Sequence, residues 1–197
     1  MVEVTLEDVV VRTPKHEEAR WLAEGEDYKL GSIRVLLLKE RAGDRVLPIW
    51  VGALEGDAIA LRLVGLAYGR PMPWDLMARL LDVGTMQLEK VTVHSLRENT
   101  FIGSLSIRTG GTSHDIDARP SDAITLALAA GAPIFVTEEV FNEAYVLHAG
   151  AEMTGLEARR ARAVSEGKAE PEPAEKEWRS FRALPRHESP YLRQRVK

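Results

Sequence analysis

The chain has 197 residues, a hydrophobic fraction of 45% and a formal net charge of −4, which is enough for one ordinary domain with a sizeable core. It contains no cysteine, which excludes disulfides, thiolate metal sites and cysteine nucleophiles, and a reducing cytoplasm is the expected location. The first residues lack the basic and apolar segments of a secretory signal, and no run of about 18 apolar residues predicts a membrane span.

The charge is unevenly distributed along the chain. Residues 154–197 carry 11 Lys and Arg against 7 Asp and Glu, whereas residues 1–153 carry 15 against 23. The larger part therefore has a charge of −8, and its composition predicts no general basic surface for nucleic acid. An acidic protein can still bind phosphate if its carboxylates hold a divalent cation.

The first fifty residues predict strands. Val2, Val4 and Leu6 alternate with polar residues and a run of valines follows, so we expect one strand with a bulge near Glu7. Residues 14–27 predict an inserted loop or a short surface helix. Two further strand patterns, SIRVLLLKE and RVLPIWV, are separated by the turn sequence RAGD and predict a hairpin that ends at Gly52.

The next segments predict two helices and two more strands. EGDAIALRLVG is apolar on nearly every side, which is typical of a buried helix. RPMPWDLMARLLDVG predicts a helix that begins at Pro73 and ends at Gly84. MQLEKVTVHSL and TFIGSLSIR predict strands, and the second alternates between an apolar and a polar face, as antiparallel strands with one wetter face do.

The segment IDARPSDAITLALAAGAPIFV, residues 116–136, combines a charged turn with an apolar helix. A strand ends at the turn, and Ser121 or Arg119 is expected to cap the helix that follows. Gly131 and Pro133 are expected to end it. The sequence then predicts a short strand and a short helix.

These elements together predict an α+β fold, in which an antiparallel-rich mixed sheet packs against buried helices. A single domain is expected over residues 1–150. Residues 151–197 predict a polar C-terminal extension that is partly disordered, because AEPEPAEKE has the composition of a linker.

Acidic residues stand near the start of each of the three longer helices, and two explanations are open. Acids at these positions complement the helix dipole, a contribution of about 0.3–1 kcal/mol each, so they can serve the fold alone. Alternatively, the sequence DARPSD brings Asp117, Arg119 and Asp122 to one corner. Paired carboxylates can hold Mg²⁺ or Mn²⁺ and arginine can bind phosphate, although Arg119 can also simply pair with an aspartate there.

Four motifs carry a resemblance to a known family: LPIWVGALEGDAIALRL, RPMPWDLM, LRENTFIGSLSI and DARPSDAITLALAAGAPIFV. In order and spacing they resemble the bifunctional nuclease domain family over roughly residues 1–145. The resemblance implies a compact α+β domain, a homodimer or higher homo-oligomer, and cleavage of both DNA and RNA. The chain departs from the family pattern at Trp74, where the family often has histidine, so the resemblance does not carry over a mechanism that needs this histidine.

Matched position by position, the resemblance points to a set of polar site residues: Glu55, Asp57, Arg70, Asp75, Arg97, Glu98, Asp117, Arg119, Ser121 and Asp122. We expect the phosphate to be bound by arginine, with Arg70, Arg97 and Ser121 in contact with substrate. The expected catalytic residues are Asp57, Asp75, Asp117, Arg119 and Asp122. The expected ligands of a divalent cation, Mg²⁺ or Mn²⁺, are Glu55, Asp57, Asp75, Asp117 and Asp122. The alternative is a non-catalytic module that binds a partner protein or a small anionic ligand.

Overall fold

The structure, a computed structural model, describes residues 1–12, 33–66, 68–98, 100–147 and 178–180. Within these ranges the chain forms nine strands, β1 Val2–Arg12, β2 Ile33–Glu40, β3 Arg45–Val51, β4 Gln87–Arg97, β5 Thr100–Thr109, β6 Thr112–Ala118, β7 Ile134–Val136, β8 Val146–Leu147 and β9 Trp178–Ser180. The same ranges contain four helices, α1 Ala53–Leu63, α2 Pro73–Val83, α3 Pro120–Ala130 and α4 Glu138–Ala144. The predicted loop or helix at 14–27 lies outside the described residues.

The described strands form one mixed sheet in the order β6-β5-β4-β7-β1-β2-β3-β8, and β9 also pairs with β1. Every pairing is antiparallel except that of β4 with β7, which is parallel. The register of β1 on β2 shifts between Leu6 and Asp8, which confirms the bulge predicted near Glu7. The predicted α+β fold with an antiparallel-rich sheet is confirmed.

The helices α1 and α3 lie against the sheet, and their first turns carry several of the predicted site residues. Helix α1 packs on β1 and β2, and α3 packs on β4 and β5 and also contacts α1 and α2. Ile124 and Ala127 of α3 and Val91 and Val93 of β4 are fully buried in one apolar core. The prediction of buried helices is therefore confirmed for α1 and α3, because both meet apolar neighbours on most sides.

The ends of the helices follow the predicted signals closely. Helix α2 begins at Pro73 and is followed by Gly84, and α3 begins at Pro120 after its N-cap residue Arg119. Gly131 ends α3 in the left-handed conformation, with φ of 71°, which glycine adopts without a steric penalty. The side chain of Arg119 makes no capping hydrogen bond, because a guanidinium group has no acceptor for the backbone amides, and it donates to two carboxylates instead.

The two faces of the sheet differ near β4, β5 and β6. Thr92, Ser104 and Asp117 are neighbours in register and lie on one face, because side chains alternate along each strand. The other face carries α3: a Cβ atom added to Gly103, which precedes Ser104, would contact the backbone of Pro120. Asp117 and Arg119 are therefore close in sequence but lie on different sides of the sheet.

One short part of the predicted C-terminal extension forms a strand. Trp178–Ser180 pairs antiparallel with the end of β1, opposite Val10, Val11 and Arg12. No periodic pattern in the sequence predicts a strand there. The rest of residues 151–197 lies outside the described ranges, so the predicted linker and partly disordered polar extension stay predictions.

Candidate functional site

Arg119 connects two helices at the start of α3. Its Nε atom donates to Oδ2 of Asp122 at 2.6 Å, and its Nη2 atom donates to Oε1 of Glu55 at 3.0 Å. Glu55 belongs to the first turn of α1, and Gly52 leaves room for its carboxylate, since a Cβ atom there would clash with Oε2. The guanidinium group is therefore held by carboxylates from α1 and α3.

Trp74 extends this group to the third helix. Its indole Nε1 donates to Oδ1 of Asp122 at 3.2 Å, so both oxygens of that carboxylate accept a hydrogen bond. Trp74 itself is buried at the start of α2. We call Glu55, Trp74, Arg119 and Asp122 the arginine network. It joins the first turns of α1, α2 and α3.

The guanidinium group of Arg119 is both exposed and held in place. Its side chain is 67% exposed, while the Glu55 side chain behind it is 16% exposed. The hydrogen bond to Asp122 and the charge of that carboxylate raise the pKa of Arg119; partial burial opposes this increase, and the bond to Glu55 and its charge add smaller contributions to it. An arginine side chain has five N–H donors, and the bonds to Asp122 and Glu55 use two of them. The remaining donors can reach an anion from solvent.

Asp75 lies beside Trp74 on α2 and has its own partners. It accepts a hydrogen bond from the backbone amide of Met72 at 2.8 Å and pairs with the guanidinium of Arg62. Burial raises the pKa of Asp75, but the Met72 amide and then Arg62 lower it by more, so the pKa lies below its usual value. Asp75 therefore stays ionised and connects α2 to α1.

Asp57 lies in the interior, where it is 2% exposed. Its Oδ1 atom accepts a hydrogen bond from Nε of Arg34 at 2.6 Å, and Arg34 is also buried. The pair connects α1 to β2. A substrate on the surface has no contact with this carboxylate.

Two recesses flank the arginine network, each on the order of a small polar ligand in size. The first, the arginine recess, has a volume of about 280 Å³ and is lined by residues that include Arg62, Arg70, Trp74, Asp75 and Arg79. The second, the aromatic recess, has a volume of about 300 Å³ and is lined by residues that include Trp50, Thr100, Phe101, Arg119 and Ser121. The predicted substrate residues Arg70 and Ser121 each line one of them.

Arg97, Glu98 and Asp117 complete the set predicted from sequence. Arg97 is exposed at the end of β4, opposite Thr100, which lines the aromatic recess. Glu98 is exposed in the turn that follows, with φ of 47°. Asp117 lines a third recess on the far face of the sheet, together with Lys90, Thr92 and Ser104 among others. It does not meet Asp122.

The structure thus brings together some of the predicted site residues and separates others. Glu55, Arg119 and Asp122 are in direct contact, whereas Asp57 is buried elsewhere and Asp117 lies across the sheet. No three His, Asp or Glu side chains in the described ranges are grouped so that they could hold one metal ion. The five expected metal ligands are therefore not one cluster in this arrangement.

Sequence reasoning missed three contributors to the site. The apolar surroundings of Trp74 in the sequence predict only a core or interface residue, yet its indole N–H binds Asp122. Arg62 lies within the motif LPIWVGALEGDAIALRL but is not among the site residues that the resemblance points to, and Arg79 lies outside the four motifs. Arg79 follows Asp75 by one helical turn, and its charge lowers the pKa of that aspartate slightly. That spacing was the only available signal, and nothing in the sequence connects Arg62 to α2.

No helix in the described parts of the chain is long and apolar enough to cross a membrane.

Comparison with known proteins gives one family and two relatives. A family model described as "Bifunctional nuclease domain" matches residues 36–148, which include all four members of the arginine network. Two uncharacterized proteins of Mycobacterium tuberculosis, MT1877 of strain CDC 1551 / Oshkosh and Rv1829 of strain ATCC 25618 / H37Rv, are each 41% identical over 113 residues. The similar region covers 57% of this chain and 67% of each relative.

Proposed function

Because the chain belongs to the bifunctional nuclease domain family, we propose that it hydrolyses phosphodiester bonds of DNA and RNA at the arginine network. The observation that carries the proposal is that the guanidinium group of Arg119 is exposed and yet held in place. An exposed guanidinium is fixed on one side by Glu55 and Asp122, and its other donors face solvent. Arginine suits phosphate because its planar fork can donate two parallel hydrogen bonds to one group.

In the proposed reaction Arg119 binds the nonbridging oxygens of the phosphate and stabilises the charge that builds there. Asp122 keeps the guanidinium in one orientation through its bond to Nε, and Trp74 keeps Asp122 in place. Water attacks phosphorus, the bond from phosphorus to the leaving oxygen breaks, and Glu55 accepts a proton from the water. The leaving oxygen takes a proton from solvent.

A divalent cation also belongs to the proposal, with fewer protein ligands than the sequence suggests. Magnesium in phosphate sites takes one or two carboxylates and completes its shell with water and phosphate oxygens, so Glu55 and Asp122 would be sufficient to hold it, in competition with their bonds to Arg119. When bound, such a cation lowers the pKa of a water molecule and offsets the charge on phosphate. Asp57 and Asp117 are not in contact with this pair, and they have no ligand role in the proposal.

The test is a cleavage assay on single-stranded DNA, double-stranded DNA and RNA, with Mg²⁺, Mn²⁺ or a chelator. Wild-type protein should cleave DNA and RNA. In Arg119→Gln, purified in the same way, kcat/KM should fall at least about tenfold, because that factor corresponds to the free energy of one charge-assisted hydrogen bond. Arg41→Gln is the matched control, because Arg41 is as exposed as Arg119 and pairs with one surface glutamate. Equal cleavage by wild type and Arg119→Gln would show that the activity comes from elsewhere.

A second candidate function, anion binding without catalysis, is favoured by the pairing of the carboxylates. Glu55, Asp57, Asp75 and Asp122 each accept a bond from an arginine, which leaves little negative charge to hold a cation. In that case the recesses bind an anionic ligand, and purified protein binds oligonucleotides in chelator but leaves them intact with every metal.

A further inference from the structure

The arginine recess has an unusual charge for this chain. Arg62, Arg70 and Arg79 line it, and the single carboxylate among its lining residues is Asp75. The recess therefore carries a formal charge of +2, whereas residues 1–153 together carry −8. A local excess of positive charge in an acidic protein indicates a site for an anion.

Two of the three guanidinium groups are available to a ligand. Arg62 is bound to Asp75, but Arg70 and Arg79 are exposed and make no ion pair with any carboxylate in the described residues. The volume of about 280 Å³ lies just below the range that holds drug-sized ligands, so the recess fits a phosphate with part of its sugar rather than a large cofactor.

The position of the recess relates it to Arg119. Trp74 lines the recess, its indole donates to Asp122 at 3.2 Å, and Asp122 in turn binds Arg119 at 2.6 Å. The recess is therefore connected to Arg119 through Trp74 and Asp122. A strand with one phosphate at Arg119 is expected to run toward the recess and to offer it a neighbouring phosphate.

We propose that the arginine recess is a second phosphate subsite, in which Arg70 and Arg79 bind a phosphate adjacent to the one that is cleaved. This inference rests on the proposed nuclease function and deepens it. It defines the preferred substrate as a polynucleotide strand with at least two phosphates, rather than an isolated phosphodiester. Arg70 and Arg79 are binding residues in this scheme, and the reacting phosphate does not touch them.

The experiment compares a minimal substrate with two extended ones, in wild type and in two double variants. The minimal substrate is a dinucleoside monophosphate, which has one phosphodiester, and the extended substrates carry one additional phosphate on either end. Arg70→Gln/Arg79→Gln should reduce kcat/KM on an extended substrate about tenfold or more and leave the minimal substrate within about twofold, since each missing charge-assisted bond weakens only the extended complex. Arg41→Gln/Arg108→Gln removes two exposed arginines outside the recess. This control should leave kcat/KM unchanged on both the minimal and the extended substrates.

Binding without cleavage gives an independent measurement. Fluorescence anisotropy with a single-stranded oligonucleotide in chelator should show a weaker Kd for Arg70→Gln/Arg79→Gln. The dependence of log Kd on log salt concentration should become shallower by about 0.7 for each phosphate that the variant no longer neutralises. The control double variant tests whether any removal of positive charge has the same effect, and circular dichroism checks that all variants are folded.

The outcomes separate this inference from the proposed function. If wild type cleaves but the two double variants are alike on both substrates, the second subsite is refuted and the nuclease function stands. If wild type cleaves nothing, the nuclease function is refuted, and the subsite stands only if oligonucleotide binding still depends on Arg70 and Arg79. An effect of the recess variant on the minimal substrate as large as on the extended one would also overturn the proposal.

Discussion

Arg34 of β2 and Asp57 of α1 form an ion pair in the interior, with Nε and Oδ1 2.6 Å apart and the residues 6% and 2% exposed. Removing two charges from water is costly, and the pair offsets that cost only while both partners are present. The side chain of Arg34 passes over Gly56, where a Cβ atom would clash with its Cβ and Cγ atoms. The glycine and the ion pair therefore form one contact between helix and sheet.

Replacement of Asp57 by Asn should mainly destabilise the fold. The substitution removes the charged carboxylate that the buried arginine bonds at 2.6 Å, and the loss of one member of a buried ion pair typically costs about 3–5 kcal/mol. Urea denaturation measures this change, and Asp44→Asn, in the exposed turn between β2 and β3, should change stability by less than about 0.5 kcal/mol. A variant that keeps its stability but loses nuclease activity would return Asp57 to the catalytic set.

Replacement of Gly56 by Ala should also destabilise the protein, although alanine in a helix interior usually stabilises by about 0.5–1 kcal/mol. The added methyl group would meet the first carbons of the Arg34 side chain, which cannot move without the strand, and Val51 at 3.2 Å. Thermal unfolding of Gly56→Ala should show a lower Tm than wild type. Gly69→Ala, where a Cβ atom meets nothing within 4 Å, should leave the Tm nearly unchanged.

Local pattern was sufficient for most of the fold. Pro73 and Gly84 marked α2, and the phase change near Glu7 marked the bulge, because these signals act on the backbone within a few residues. The pairing of Arg119 with Asp122 could also be expected, since they are three residues apart. Local pattern did not predict the strand at Trp178–Ser180, because its three residues form a strand only by pairing with β1.

The rest of the site depends on contacts between distant parts of the chain. Glu55 and Arg119 are 64 residues apart, and Trp74 and Asp122 are 48 apart. Asp57 looks equivalent to these acids in sequence, because all stand near a helix start, but its partner in the fold is a buried arginine. Which acid faces solvent is decided by helix rotation on the sheet, and a single sequence does not fix that rotation closely enough.

Asp75 should contribute stability that depends on pH. Its pKa in the folded state is lowered, so the unfolded state, with a pKa of about 3.9, takes up protons first as pH falls. The contribution is complete near neutral pH and is lost as pH falls from about 4 through the lower folded pKa. Asp75→Asn should therefore be less stable than wild type at pH 7, and the difference should shrink below pH 4. Urea titrations from pH 7 to pH 2 measure it, and a constant difference would contradict this account.

The exposed side of α2 supports the expected homo-oligomer. Leu76, Leu80 and Val83 recur at helical spacing and are 55%, 56% and 84% exposed. A row of exposed apolar residues on one helix is typical of a contact surface. Light scattering should show a dimer or larger assembly at micromolar concentration, and Leu80→Glu should dissociate it. Leu54→Glu, an exposed leucine on α1, is the control and should leave the mass unchanged, whereas a monomeric wild type would refute the expectation.

Replacement of Asp122 by Asn tests the arginine network directly. Asp122 accepts one bond from Trp74 and one from Arg119, and an asparagine side chain has a single oxygen acceptor, so one of the two donors would face an amide N–H₂ group. The ion pair with Arg119 lies on an exposed side chain, so unfolding should become easier by only about 1 kcal/mol, including the weaker interaction with the helix dipole.

Cleavage should fall much further than stability in Asp122→Asn, because no carboxylate then orients the guanidinium of Arg119 toward phosphate through its Nε atom. We expect kcat to drop at least about tenfold, and KM to change less, since the positive charge of Arg119 remains to attract the strand. Asp82→Asn, near the exposed end of α2, is the control for the removal of one carboxylate. Full cleavage by Asp122→Asn would show that the arginine network only supports the fold. A decrease in cleavage that is no larger than the decrease in the fraction of folded protein would show the same.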